Sequence, residues 1–264
     1  MDRIVTHADL ELLIATFAYT QPRILAMFTA IPLFNTTLIP RAMRLPMAMV
    51  FGMLLVPVLL PEVARHELDT AELLGILVKE TFVGCCIGYL IAIPFWIVES
   101  VGFFIDNQRG ASIAATLNPL TGNDSSPLGE LFHQAFIVFF LISGGFLLML
   151  GILYDSYRQW DIFNWVPHFD PAAIPAWLGQ LDRLVRLGLL LGAPVIVAMF
   201  LAELGLALVS SFVPALQVFF LAMPIKCALA FLVLVLYAGT MFTYSSDYIE
   251  GLRDTIPFLT GQFR

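Results

Sequence analysis

The chain has 264 residues, 59% of them hydrophobic and only 12% charged, with a formal net charge of −7. Soluble domains carry about 25% charged residues, and a soluble globule covered by so few polar side chains would expose large apolar patches. Disorder, collagen, coiled coil and a disulfide scaffold are excluded, and an all-α, polytopic membrane fold of helical hairpins is expected.

Six apolar stretches approach the roughly 20 residues needed to cross hydrocarbon: Leu10–Phe34, Leu45–Pro61, Leu73–Val98, Phe132–Tyr154, Leu187–Phe212 and Val218–Tyr244. They are uneven. Leu45–Pro61 is short, and Arg23, Lys79, Glu80, Glu203 and Lys226 interrupt others. Pro22, Pro32, Pro57, Pro94, Pro194 and Pro224 lie in or near these stretches; each removes a backbone donor and is expected to kink its helix. The first ten residues hold Asp2, Arg3, His7 and Asp9 and do not read as a secretory signal. On six spans, seven arginines fall on the face of both termini and three on the other, which favours cytoplasmic termini.

The connections differ in composition. Residues 62–72 are acidic and polar. Residues 106–130 are rich in Gly, Pro, Ser, Thr and Asn and read as a long loop, closed by Ser126 as a helix N-cap with Pro127 at the first helical position. Residues 155–183 set three tryptophans among prolines and acids, an interfacial composition. Residues 213–217 read as a tight turn between two long helices, and Gly84/Gly88 and Gly188/Gly192 have the spacing of close helix contacts.

Catalytic patterns are missing. The four histidines form no HxxxH or HExxH pair, Lys79 and Lys226 follow no phosphate-binding glycine run, and no GxSxG elbow occurs. Cys85, Cys86 and Cys227 have no metal-ligand spacing and read as packing residues. No enzyme, cofactor or metal site is expected, and thirteen scattered basic residues on an acidic chain do not suit nucleic acid.

Two sets of ionisable residues stand out. Glu203 lies eleven residues before Pro214, and Lys226 eleven after Ala215. At about 1.5 Å per residue both sit roughly 16 Å from the turn, and opposite charges at one depth in a membrane are expected to pair. The competing readings are that Pro224 rotates Lys226 away or that both charges serve a neighbouring subunit. Glu99, Gly102, Phe103 and Asp106 share a helix face, with Arg109 one turn beyond Asp106. That face suits either a protein interface or pore lining, or a solvated helix end.

The stretch FWIVESVGFFIDNQRGASIAATLNPLTGNDSSPLGEL (95–131) resembles the long loop of the FliR/SctT (SpaR) family of type III secretion export-apparatus proteins. PALQVFFLAMPIK (214–226) is similar to that family's C-terminal hairpin, and IPLFNTTLIPRAMRLPMAM (31–49) to its opening. Glu99, the 105–110 run and the 125–129 run look more like the injectisome branch than the flagellar one. Ala215 stands where the family usually has Gln, Gln217 where it has Asn, and Ser211 where Arg is common.

The resemblance implies a subunit of the bacterial inner-membrane export gate, partly raised toward the periplasm. It implies assembly with SctR-type and SctS-type subunits, and SctU-type and SctV-type components, rod or needle proteins, exported substrates and lipid as further partners. Residues 1–180 would form an SctR-like four-helix part and 181–264 an SctS-like hairpin and tail. The loop at about 106–126, with Asp106, Gln108, Arg109, Gly110, Ile113, Leu117, Pro119 and Gly122, would be the channel plug; Pro214, Gln217 and Phe219 mark the hairpin turn. The alternatives are a flagellar gate subunit of the same family and a self-contained secondary transporter, which would need an internal inverted repeat that the two halves do not display.

Overall fold

The computed structural model describes residues 7–35, 39–66, 70–110, 126–164, 173–212 and 218–262. Among them all regular structure is helical: α1 (His7–Ala30), α2 (Arg41–Met53), α3 (Val56–Val63), α4 (Thr70–Arg109), α5 (Pro127–Ile142), α6 (Gly145–Gln159), α7 (Ile174–Phe212), α8 (Val218–Glu250) and α9 (Thr255–Gln262), with 3-10 turns at Pro32–Phe34 and Gly251–Asp254. The chain divides into two compact units. The first comprises Met1–Ala92, Phe146–Ala173 and Gly251–Arg264, the second Ile93–Gly145 and Ile174–Glu250.

In the first unit, α1 contributes Ile24, Met27 and Phe28 to a core that also holds Phe34, Leu59, Val63, Val83 and Ile87. Phe34 stacks on Phe28 at 4.0 Å between ring centroids, and Phe51 meets Phe28 edge-on. Gly84 and Gly88 lie against α1 so closely that an added Cβ would run into the Arg23 and Met27 carbonyls; their four-residue spacing keeps both on the one face that needs to be small. In the second unit, Phe95 of α4 packs on Phe136 and Phe140 of α5 at 4.9 and 5.0 Å. Gly188 of α7 sits against Ser100, and α7 packs along α8.

The helices break at only some of the expected prolines. Pro22, Pro94, Pro194 and Pro224 all lie inside continuous helices. The chain bends by 73° between α2 and α3, where Pro57 lacks an N–H and its ring opposes the carbonyl four residues back, at the end of α2. A second break separates α5 from α6 inside the charge-free Phe132–Tyr154 stretch, at Gly144 with φ +79°, a left-handed conformation that glycine adopts without steric cost.

Among the described residues three helices are long and apolar enough to cross a membrane, Glu72–Arg109, Ile174–Phe212 and Ala222–Gln262, or up to five spans if each broken pair is one. The expected six therefore become at most five, because α1 does not qualify. Its middle turns carry Thr16, Thr20 and Arg23, all fully buried against protein, so this part of α1 faces polypeptide, while Leu10, Leu13 and Ile14 near its start are exposed. The three long helices also differ. The apolar window of α4 is 72% buried, those of the other two 28% and 22%. α4 is an interior helix, and α7 and α8 present broad apolar faces outward.

Candidate functional site at the base of the 106–126 loop

α4 ends at Arg109, and Gly110 (φ +87°) turns the chain out of the helix. α5 begins after Ser126, whose Oγ accepts from the Gly129 N–H at 2.9 Å, with Pro127 in the first turn. These two ends are held together by Asp106. Its Oδ2 accepts from Ser126 Oγ at 2.6 Å and from the Leu128 N–H at 3.0 Å, and its Oδ1 lies 2.7 Å from Arg109 Nε. A carboxylate is thus set against the exposed N–H groups that open α5, where the helix dipole favours negative charge. Asp106 is almost completely buried, so these bonds form where water competes little. Arg109 extends the arrangement to α8, its guanidinium carbon 5.7 Å from the centre of the Phe231 ring.

The close approach of α4 and α5 depends on Gly102. A Cβ on Gly102 would collide with the backbone of Leu128 and Gly129. One turn earlier on α4, Glu99 Oε2 lies 3.2 Å from Nδ1 of the buried His133. The face formed by Glu99, Gly102 and Asp106 therefore turns toward α5 and the root of the loop. Phe103 is largely exposed, and Gln108 is half-buried in the last turn of α4. Ile113, Leu117, Pro119 and Gly122 lie outside the described residues.

In the hairpin, Lys226 Nζ donates to Glu203 Oε2 at 3.1 Å. The lysine is 11% exposed and the glutamate 49%, so the carboxylate also faces outward on a helix surface that is otherwise apolar. Pro214 and Gln217 lie outside the described residues, and Phe219 is in the first turn of α8.

A third charged cluster was legible only as isolated interruptions in apolar stretches. Arg23 forms a two-pronged pair with Glu80, Nε to Oε2 at 2.7 Å and Nη2 to Oε1 at 2.9 Å. It also donates to Ser156 Oγ and the Trp160 carbonyl, and its guanidinium lies 4.1 Å from the centre of the Tyr157 ring. Tyr157 in turn donates to the Thr20 carbonyl at 2.7 Å. Lys79 Nζ lies 3.1 Å from Glu80 Oε1 and donates to the carbonyls of Asp161, Ile162 and Asn164. Arg23 and Glu80 have no exposed surface. The cluster ties α1, α4 and the end of α6 into one body, with every charge matched by hydrogen bonds, as burial demands.

Residues 14–252 match the model of bacterial export proteins, family 1. The chain belongs to that family. It is 37% identical over 247 residues to Yop proteins translocation protein T of Yersinia pestis, covering 92% of this chain and 94% of the relative. To secretion system apparatus protein SsaT of Salmonella typhimurium it is 35% identical over 189 residues, 70% of this chain and 72% of the relative. To flagellar biosynthetic protein FliR of Bacillus subtilis it is 28% identical over 221 residues, covering 83% and 85%. This family member is a non-catalytic, multi-pass component of a type III secretion export apparatus in the bacterial inner membrane.

Proposed function

We propose that the chain is a subunit of the type III secretion export gate, joining SctR-type and SctS-type subunits around a channel for unfolded proteins, and that its 106–126 loop plugs that channel. One observation carries the reading. Asp106 binds both Ser126 and Leu128, so the end of α4 and the start of α5, the two helices that flank residues 111–125 in sequence, are joined by a single buried clasp. By sequence this segment is small and apolar (Ala111, Ile113, Ala114, Ala115, Leu117) between polar ends. Such a segment packs in a narrow lumen without requiring partners for many polar groups, and withdrawal from it is a population shift between docked and released states.

The outward apolar faces of α7 and α8 support an assembly in which residues 181–264 act as the SctS-like hairpin and residues 1–180 as the SctR-like part, with SctU-type and SctV-type components alongside. Helices that carry buried charges and prolines are poor lipid spans but adequate when wrapped by protein, which agrees with a body partly raised toward the periplasm. The greater identity to the Yop and SsaT relatives than to FliR favours an injectisome over a flagellum.

Deletion of Gly110–Gly122 tests the plug. It spares Asp106, Arg109 and Ser126, so the complex is expected to assemble with SctR-type subunits while cells become permeable to small solutes. A tight membrane around a normally assembled complex would reduce the loop to a scaffold element. A chain purified alone that moves a solute in vesicles would replace the gate reading with a transporter.

A further inference from the structure

Two cavities flank the C-terminal half of α6 in the first unit, and Arg158 lines both. One, about 530 Å³, is walled by Leu54, Leu55, Val58 and Leu59 of the α2–α3 bend and by Tyr154 and Tyr157, with Glu62 and Asp161 beside Arg158. The other, about 500 Å³, is walled by Leu148, Ile152, Ile256 and Pro257, with Asp155, Gln159 and Arg253 near Arg158. Each volume is in the range of small-ligand pockets. Both combine an apolar wall with charged groups around Arg158: in one the apolar wall comes from the α2–α3 bend and the charges are Glu62, Arg158 and Asp161, and in the other α6 supplies Leu148 and Ile152 ahead of Asp155 and Arg158. From Leu148 to Arg158 the helix rises about 15 Å, and from Leu55 to Glu62 the facing wall rises about 10 Å.

We propose that this pair of troughs is a binding site for one zwitterionic, two-chain phospholipid with a primary ammonium head, of the phosphatidylethanolamine class. One acyl chain lies in each trough, on either side of α6, and the headgroup sits over Arg158. The phosphate is recognised by Arg158 and Arg253, whose planar forks suit its oxygens. The ammonium is held by Glu62 and Asp161. The charges argue for a head that carries its own cation: two arginines meet three carboxylates (Glu62, Asp155, Asp161), so a phosphate alone adds a negative charge where carboxylates are already in excess, and an ammonium offsets it.

Arg158 is available for the contact. Among the described residues it pairs with Asp155 at 3.7 Å, with the side chains 86% and 60% exposed, and such exposed pairs hold their geometry weakly. The inference rests on the first unit alone and does not depend on the export-gate reading.

Native mass spectrometry of the full-length chain in detergent, titrated with dioleoyl phosphatidylethanolamine, phosphatidylglycerol and phosphatidylcholine, tests it. Retention of the ethanolamine lipid should exceed that of both others by about tenfold, since the glycerol lipid has no cation and the choline lipid no N–H to donate. Arg158→Gln should lower that retention by about tenfold, and the Glu62→Gln/Asp161→Asn double variant should abolish the preference over phosphatidylglycerol. These side chains are at helix ends, and unchanged thermal unfolding of the variants verifies the fold. A photo-reactive residue at Val58, which is exposed, should capture lipid in native membranes. Equal retention of the three lipids, unaltered retention in Arg158→Gln, or capture of a polypeptide at Val58 would overturn the proposal.

Discussion

Asp106 uses both carboxylate oxygens, one on the root of α5 and one beside Arg109. Asp106→Ala therefore leaves the Leu128 N–H and the Ser126 hydroxyl without their acceptor, a loss of about 1–3 kcal/mol for buried groups. Ser126→Ala removes the helix cap as well as a donor to Asp106, about 1 kcal/mol. Because the two share one bond, the double variant should lose less than the sum, measured by thermal unfolding of the purified complex. Arg23 and Glu80 present the other case, a pair with no exposed surface. Glu80→Leu alone strands the buried Arg23 guanidinium and should cost about 3–5 kcal/mol; Arg23→Met should cost less, because Lys79 still faces Glu80 at 3.1 Å, and the double change should be markedly better tolerated than Glu80→Leu. Singles and double equally destabilised in the same unfolding assay would mean that Ser156, Trp160 and Tyr157, and not the charge match, hold the cluster.

At the scale of helices, glycines at two boundaries act for different reasons, and one substitution separates them. A Cβ at Gly102 meets the α5 backbone, so Gly102→Ala must push α4 and α5 apart and should destabilise by about 1–3 kcal/mol. Gly144 has open space around it but φ +79°; Gly144→Ala should cost about 1–2 kcal/mol of backbone strain alone and leave the loop clasp unaltered. Disulfide trapping between α4 and α5 would detect the difference, with cross-linking changed by the first substitution and not the second. In the hairpin, Glu203→Gln, Lys226→Met and the double variant form a cycle in which a coupling of about 0.5–3 kcal/mol is expected. No coupling would mean that the half-exposed glutamate acts on a neighbouring subunit and not on Lys226. The contrast between the two ion pairs also shows what a sequence can reveal. Glu203 and Lys226 lie on consecutive helices with only residues 213–217 between them, so depth follows from counting residues. Arg23 and Glu80 lie on helices with no shared turn, and nothing in the spacing says that they meet.

Across the whole molecule, the reading of the loop makes a joint prediction. Asp106→Ala should raise small-solute leakage, but less than the Gly110–Gly122 deletion, because it loosens the root of the segment without removing it. Fluorescent-dye entry into cells carrying each variant orders the two. Leakage from Asp106→Ala with none from the deletion would place the permeable path elsewhere. The count of membrane spans is decided at this scale as well. Hydropathy measures what a segment could tolerate, and α4 passes that test although 72% of its apolar window is buried by this chain.

The amino-acid sequence by itself determined the all-helical membrane class, the helix cap at Ser126, and the family through three motifs spread along nearly the whole chain. Those features depend on composition and on neighbours a few residues apart. Tertiary structure alone decided that Asp106 closes the loop, that Arg23 and Glu80 form a buried pair, and that the α2–α3 stretch and the α5–α6 stretch each break in two. Each of these depends on which surface a residue meets after the chain has folded back. A residue's position in a helix specifies its face and its depth, but not the partner that comes to cover it.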